Sequence, residues 1–168
     1  MDPFDVLGIE ARFDVDLDQL HQRHRQLAKA LHPDKFVGRG ASERRMALSK
    51  SIEVNDALRI VQDPVRRAEA LLARLGIDAS DESSTATDPV WLMDIMEQRE
   101  ALVQAQQAKD KSALQSLQSQ MRQRETQLLQ QLSEAFASHA PSAKEPLSKL
   151  RFVRRFIEQA SLVEDELL

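Results

Sequence analysis

Cysteine is absent from this sequence of 168 residues, and so is tyrosine. Without thiolates the chain can form neither a disulfide nor a cysteine-ligated metal or cluster site. Long apolar runs are also missing, since the longest are far shorter than the roughly 20 residues that span a bilayer. We therefore predict a protein that has no disulfide, no cofactor and no membrane span.

An excess of positive charge is lacking as well, because the formal net charge is −4. Residues 1–76 carry 13 Lys/Arg and 12 Asp/Glu, and residues 77–168 carry 10 and 15. Neither half has the basic surplus typical of nucleic-acid binding. The first five residues are acidic and resemble neither a secretory signal nor a transit peptide, so we expect a cytoplasmic protein.

Leucine, alanine, glutamine, glutamate and arginine dominate the composition and predict an all-α fold. In the first half the apolar periodicity predicts a short helix ended by Gly8, two long helices and a final helix ended by Gly76. The predicted spans are 3–7, 17–31, 41–61 and 64–75. Because a short loop joins the two long helices, they should pack as an antiparallel hairpin.

Residues 77–88 are rich in Ser, Thr and Asp and have no apolar stripe, so they are predicted to be a linker. Three further helices are predicted after it, near 89–108, 113–138 and 146–167, and form an up-down bundle. In the last of these, one side is expected to face the core; it carries Leu147, Leu150, Val153, Ile157 and Ala160. The predicted organisation is thus an N-terminal domain (1–76), a linker (77–88) and a three-helix bundle (89–168).

The tripeptide His32-Pro33-Asp34 lies between the two long helices of the first half. Pro33 disfavours the α conformation at His32, so the first helix should end there. An ordinary turn is one interpretation, because Pro-Asp is common in turns. A metal site formed with His21 and His24 is another, although two histidines three residues apart on a helix more often serve packing or solvation. Catalysis has less support, because no nucleophile motif or phosphate-binding loop accompanies the tripeptide.

The surrounding sequence resembles a J-domain over about the first 76 residues. The resemblance is carried by the Asp16-started helix with Arg25 and Lys29, by His-Pro-Asp-Lys-Phe, and by Val-Asn-Asp-Ala-Leu at 54–58 followed by Asp-Pro at 63–64. J-domains dock on ATP-bound chaperones of the seventy-kilodalton heat-shock class and stimulate ATP hydrolysis.

That resemblance implies a role for each residue of the tripeptide. Asp34 would accept charge-assisted hydrogen bonds from an arginine of the chaperone's ATPase domain. Pro33 would hold the loop rigid, and His32 would fix its orientation. A positive face would steer docking onto an acidic patch; it comprises His21, Arg25, Lys29 and Lys35. On the residues alone, these basic side chains could equally be a solvated helix face.

The first helix of the second half has a wider apolar surface than one core needs. At 100° per residue one face is expected to be buried by the bundle; it carries Trp91, Ile95, Leu102 and Ala105. Leu92, Met93 and Met96 lie away from that face, beside Glu97 and Glu100, and methionine suits adaptable binding surfaces. In the last helix Phe152, next to Arg151, also lies off the core stripe. These residues could instead fill the bundle or pack on the first domain.

Taken end to end, the chain resembles the HscB family of co-chaperones in iron–sulfur cluster assembly. The resemblance in the second half is carried by Leu92-Met93, Met96-Glu97 and Glu100, together with Leu150-Arg151-Phe152. The resemblance implies that the bundle binds a scaffold protein of the IscU type and that the N-terminal domain engages an HscA-type ATPase. Leu92, Met93, Met96 and Phe152 would be apolar anchors, and Glu97, Glu100 and Arg151 would set the register.

Cluster ligation would be left to the scaffold, since this chain has no cysteine. We therefore expect a non-enzymatic adaptor. A general J-domain protein with another client on the bundle stays open as the alternative, as does a helical structural adaptor unrelated to ATPases. An enzyme is the least supported class.

Overall fold

The computed structural model describes residues 1–79 and 88–166, so positions 80–87 of the predicted linker lie outside the described residues. The regular elements of the described residues are all helices, with no strand among them, which confirms the predicted all-α class. No helix among them combines the length and apolar character needed to cross a membrane. The helices are α1 (Pro3–Leu7), α2 (Leu17–Ala30), α3 (Ala41–Gln62), α4 (Pro64–Arg74), α5 (Pro89–Ala108), α6 (Lys111–Ser138) and α7 (Lys144–Glu166), with 3₁₀ turns at Pro33–Phe36 and Ala140–Ala143. The chain divides into two compact units, Met1–Ile77 and Asp78–Leu168.

Aspartates cap three α-helices of the first unit, α1, α2 and α4, whereas α3 follows Gly40 and has no side-chain cap. The Asp16 carboxylate accepts the backbone N–H groups of Asp18 and Gln19, at 2.9 and 3.1 Å, and so satisfies donors that the helix itself leaves unpaired. The same carboxylate also accepts a bond from the side-chain amide of Gln19, at 2.9 Å. At the other end of α1, Gly8 adopts a left-handed conformation with φ of 64°, which glycine tolerates best.

The core of the first unit lies where α1 and α2 pack on α3 and where α4 packs against the end of α3. Its fully buried side chains come from all four helices: Phe4, Leu7, Leu20, Val61 and Leu72. Leu17, in the first turn of α2, is 47% exposed, although it lies three residues before the buried Leu20 on the same side of the helix. Leu20 of α2 and Ala47, Val54 and Val61 of α3 are buried.

The second unit is a three-helix bundle of α5, α6 and α7. Lys109 turns the chain between α5 and α6 with a left-handed φ of 52°, and Asp110 then accepts the N–H of Ala113 to begin α6. The most deeply buried side chains come from α6 and α7: Leu114, Met121, Leu132, Leu147, Leu150 and Val153.

One core position of α7 differs from the prediction. Phe156 is 2% exposed and occupies the core, whereas Ile157 is only partly buried. Both residues continue the stripe at an acceptable spacing from Val153. The larger phenylalanine fills the inward position, because burying an aromatic ring removes more apolar area from water.

Candidate docking surfaces

The tripeptide His32-Pro33-Asp34 forms an exposed tip on the first unit. His32 ends the approach to the turn with extended backbone, and Pro33 is the first residue of the 3₁₀ turn Pro33–Phe36. The side chain of Asp34 is 87% exposed. Its only contact with another described residue is with His32, so its carboxylate oxygens are available to an outside donor.

The His32 ring stabilises the start of this turn. Its Nδ1 accepts the backbone N–H of Asp34 at 3.3 Å, which makes His32 the N-cap of the turn. The same Nδ1 lies 3.5 Å from the Asp34 carboxylate. Because a nitrogen that accepts a hydrogen bond carries no proton, the capping contact belongs to neutral histidine and the ion pair to protonated histidine. In the neutral form the Asp34 carboxylate is left without an internal cation.

The predicted positive face lies on α2 and on the turn that follows it. Arg25, Lys29 and Lys35 are exposed, and His21 is partly exposed. His21, Arg25 and Lys29 recur every four residues, so they lie along one side of α2. Among the described residues neither Arg25 nor Lys29 has a carboxylate partner. The four residues therefore lie in one segment, and the cations are available to an acidic surface.

The alternative of a histidine metal site finds no geometry in the first unit. His24 bonds Asn55 of α3 through its Nε2, at 2.9 Å from the amide oxygen, and so joins the two long helices. Within residues 1–79 and 88–166, no group of three His, Asp or Glu side chains is close enough to hold a metal ion.

The second unit carries an exposed apolar patch on α5, here called the α5 surface: Leu92, Met93 and Met96. These side chains are 42%, 65% and 70% exposed. Glu97 and Glu100 lie beside them and are exposed too. Within the bundle, therefore, the patch is not used for packing, which removes one of the two alternatives considered from the sequence.

Phe152 of α7 lies at the edge of this patch and is half-buried. Its ring meets Trp91 edge-to-face with the centroids 6.3 Å apart, and the Arg99 guanidinium lies 5.0 Å from its centroid. Such contacts hold an aromatic ring in one orientation. Arg151 is partly exposed beside it.

Two ion pairs fix α5 against the rest of the bundle. Arg124 of α6 donates to both oxygens of Asp94, and this hydrogen bonding lowers the pKa of Asp94 below its ordinary value. At the start of α5, Asp88 accepts the N–H of Trp91 and a bond from Lys149, at 3.1 and 2.9 Å.

Both hydrogen bonds lower the pKa of Asp88 below its ordinary value, and the bond from the Trp91 N–H has the larger effect. Burial by itself lowers the pKa of Lys149, but its hydrogen bonds to Glu145 and Asp88 outweigh this and raise it. Because Asp88 and Asp94 tie the first half of α5 to α7 and α6, the α5 surface is presented on a fixed part of the helix.

Two residues that the sequence argument left out belong to the same stripe of α5. Arg99 and Val103 follow Leu92 by seven and eleven residues, so at 100° per residue they share its side of the helix. Both are exposed, Val103 to 47%. A helical projection of 89–108 already contains this signal, but the charge of Arg99 conceals it when only apolar residues are counted.

Both halves of the chain have known relatives. A family model described as the HSCB C-terminal oligomerisation domain matches residues 87–161. The Co-chaperone protein HscB homolog of Pasteurella multocida is 35% identical over 170 residues, which covers 100% of this chain and 99% of that protein. The homologue of Haemophilus influenzae is also 35% identical, with 98% of this chain and 96% of that protein covered.

Two solved structures resemble this fold over nearly the whole chain. Chaperone HscB from Vibrio cholerae has a TM-score of 0.87 at 32% identity, with 100% of both chains covered. The crystal structure of human co-chaperone protein HscB has a TM-score of 0.89 at 28% identity, with 98% of this chain and 82% of that chain covered. The chain therefore belongs to the HscB co-chaperone family.

Proposed function

We propose that this protein is an adaptor that delivers an IscU-type iron–sulfur scaffold protein to an HscA-type heat-shock ATPase and stimulates ATP hydrolysis. Residues 1–76 act as the J-domain, 77–88 as the linker and 89–168 as the scaffold-binding bundle. The protein is not an enzyme and works in the cytoplasm. The acceleration comes from shifting the conformational equilibrium of the ATPase.

The observation that carries the proposal is the exposed carboxylate of Asp34 at the start of a turn that His32 caps. A carboxylate in this setting binds an arginine in two-point fashion, which fixes both distance and orientation. Pro33 restricts the backbone of the turn, and the His32 cap holds its first N–H group. His21, Arg25, Lys29 and Lys35 supply the positive potential that speeds encounter with an acidic partner surface.

On the second unit, the α5 surface supports binding of a protein client. Leu92, Met93, Met96 and Phe152 supply apolar anchors of the kind that dominate interface energies. Glu97, Glu100 and Arg151 border them and set the register through charge complementarity. The exposure of the methionines is the supporting observation, since a side chain that packs in the bundle would be covered.

A single-turnover ATPase assay with an HscA-type chaperone tests the proposal. The wild-type protein should stimulate hydrolysis, and the scaffold protein should increase that stimulation further. Asp34→Asn should abolish stimulation at equal concentration, since the neutral amide loses the charge-assisted bonds. Asp18→Asn is the matched control, because Asp18 is also an exposed aspartate of the first unit but lies at the far end of α2.

Absence of stimulation by the wild type would contradict the assignment of the first unit. Equal stimulation by Asp34→Asn and the wild type would contradict the role of the tripeptide. If the wild type stimulated the ATPase but bound no scaffold in a calorimetric titration, the client would be a different protein.

A further inference from the structure

The α5 surface is built largely from thioether side chains. Met93 and Met96 are two of its three residues, and they are 65% and 70% exposed. They lie three residues apart and therefore share one side of α5. The whole chain has five methionines and no cysteine, so thioethers are its only sulfur groups. Two of the five thus lie on the surface to which we assign the client.

Exposure to solvent divides the methionines into two classes. Met1 and Met46 of the first unit are also exposed, to 89% and 59%. Met121 of α6 is fully buried in the core of the bundle, at 0% exposure. Because an oxidant in solution reaches a sulfur atom only where the side chain is exposed, Met121 stays reduced in the folded protein. Oxidation of Met93 and Met96 needs no opening of the bundle.

We propose that Met93 and Met96 form an oxidation-sensitive switch that controls binding of the scaffold protein to the α5 surface. This inference rests on the proposed function. Hydrogen peroxide is the oxidant: a sulfur lone pair attacks one peroxide oxygen, an S–O bond forms, the O–O bond breaks and the other oxygen leaves as water. The sulfur loses two electrons, which the peroxide gains. The product is methionine sulfoxide, and sulfoxide reductases return it to the thioether with electrons from a thiol.

The sulfoxide makes the apolar surface polar, because its oxygen is a hydrogen-bond acceptor that the thioether lacks. On α5 the neighbouring Glu97 and Glu100 carboxylates also accept hydrogen bonds rather than donate them. The Arg99 guanidinium lies over the Phe152 ring, 5.0 Å from its centroid. In the free protein water therefore solvates the sulfoxide oxygens. A partner that covers them with apolar side chains removes this water without replacing it, and so binds the oxidised form more weakly.

The switch acts on client binding and leaves the contact with the ATPase unchanged. Neither the tripeptide His32-Pro33-Asp34 nor the basic face that accompanies it contains a sulfur atom. The oxidised protein therefore still stimulates the ATPase but delivers no scaffold to it. Reduction of the two sulfoxides restores delivery.

Calorimetric titration of an IscU-type scaffold into the full-length protein tests this inference. The protein is first treated with hydrogen peroxide, which is then removed. Peptide mass spectrometry should find Met121 unmodified and one added oxygen atom on each of Met1, Met46, Met93 and Met96. The oxidised wild type should bind at least about 10-fold more weakly than the untreated protein, because binding buries an unpaired polar group. Methionine sulfoxide reductases with dithiothreitol should restore the affinity.

The double variant Met93→Leu, Met96→Leu isolates the two sulfur atoms, because leucine keeps the apolar volume and cannot be oxidised. It should bind as the untreated wild type does, both before and after peroxide. Met46→Leu is the matched control, since it removes an exposed methionine of the first unit. Its affinity should fall on oxidation as that of the wild type does. ATPase stimulation by Met46→Leu, measured without scaffold, should be the same before and after peroxide.

Equal affinities of the treated and untreated wild type would overturn the inference and leave the proposed function intact. So would an equal loss in the double leucine variant, since the sensitive group would then lie elsewhere. If that variant bound poorly before treatment, oxidation rates in the wild type would decide. Bound scaffold should slow oxidation of Met93 and Met96 relative to Met46, and an unchanged ratio would overturn the inference. Absence of binding by the untreated wild type would contradict both the proposed client and the inference.

Discussion

Asp34 donates its backbone N–H to Nδ1 of His32 at 3.3 Å, while its own carboxylate points into solvent. Two adjacent parts of one residue are thus used differently, since the backbone is held by His32 and the side chain is left for a partner. In our proposal His32 acts through Asp34 and is a positioning residue. The group that touches the ATPase in our proposal is Asp34.

This contact predicts an order among variants of His32. The side-chain oxygen of asparagine stands at the same number of bonds from the backbone as Nδ1, so His32→Asn keeps an acceptor for the Asp34 N–H. We expect His32→Asn to retain more ATPase stimulation than His32→Gln or His32→Ala, whose acceptor is displaced or missing. Single-turnover hydrolysis by an HscA-type chaperone measures this. If the asparagine variant were as inactive as the alanine variant, the capping role would be wrong.

The α5 surface predicts a loss of binding without a loss of stability. Joint replacement of Leu92, Met93 and Met96 by alanine should weaken scaffold binding by about 100-fold or more, because truncation of interface anchors costs on the order of 3 kcal/mol in sum. The fold should persist because all three side chains are exposed. Leu162→Ala, at an apolar position of α7 that is 65% exposed, is the control and should bind normally. Undiminished calorimetric binding by the triple variant would reject this surface.

The ion pair between Arg124 and Asp94 predicts a pH-dependent contribution to stability. Because the folded-state pKa of Asp94 is lowered, the contribution is fully present above the ordinary aspartate pKa of about 3.9 and is lost as the pH falls through the folded-state value. Asp94→Asn should lower the free energy of unfolding by about 1 kcal/mol at pH 7, and the deficit should fade towards pH 3.

Urea unfolding followed by Trp91 emission measures this in the second unit, since Trp91 is the only tryptophan of the chain. Asp165→Asn, an exposed aspartate of α7, serves as the control and should unfold as the wild type does at every pH. A deficit that stayed constant between pH 7 and pH 3 would show that the pair does not titrate as described.

Gly8 predicts a difference between two glycine variants of the first unit. A Cβ at Gly8 would lie 3.0 Å from Nη2 of Arg23, whose Nε donates to the Leu7 backbone oxygen at 2.9 Å. Gly8→Ala should therefore cost about 2 kcal/mol, from left-handed backbone strain and from disturbance of that bond. Gly38 has a φ of 83°, but a Cβ added there would meet nothing within 4 Å. Gly38→Ala should therefore lower the free energy of unfolding by only about 1 kcal/mol. Hydrogen exchange of the core amides of Met1–Ile77 measures both, and equal losses would contradict the role of Arg23.

Local sequence rules predicted the helices because each boundary has a chemical cause close by in the chain. Asp16 caps α2, Gly8 ends α1 in a left-handed conformation and Pro89 begins α5, as the sequence indicated. The rules were wrong where packing decides. Leu17 lies on the apolar side of α2 but is 47% exposed, and Phe156 rather than Ile157 enters the core. Periodicity gives the angular position of a residue around its own helix. It does not say which part of that helix a neighbouring helix covers.

The sequence by itself determined the all-α class, the helix boundaries to within about two residues and the exposed tripeptide, because capping, turn chemistry and 3.6-residue periodicity act over a few residues. It also carried the family resemblance that the relatives confirm. Only the tertiary structure decided which apolar residues of α5 stay uncovered, and that Trp91 and Arg99 meet Phe152. Those contacts join residues more than 50 positions apart, and such proximity depends on how helices pack rather than on any local preference.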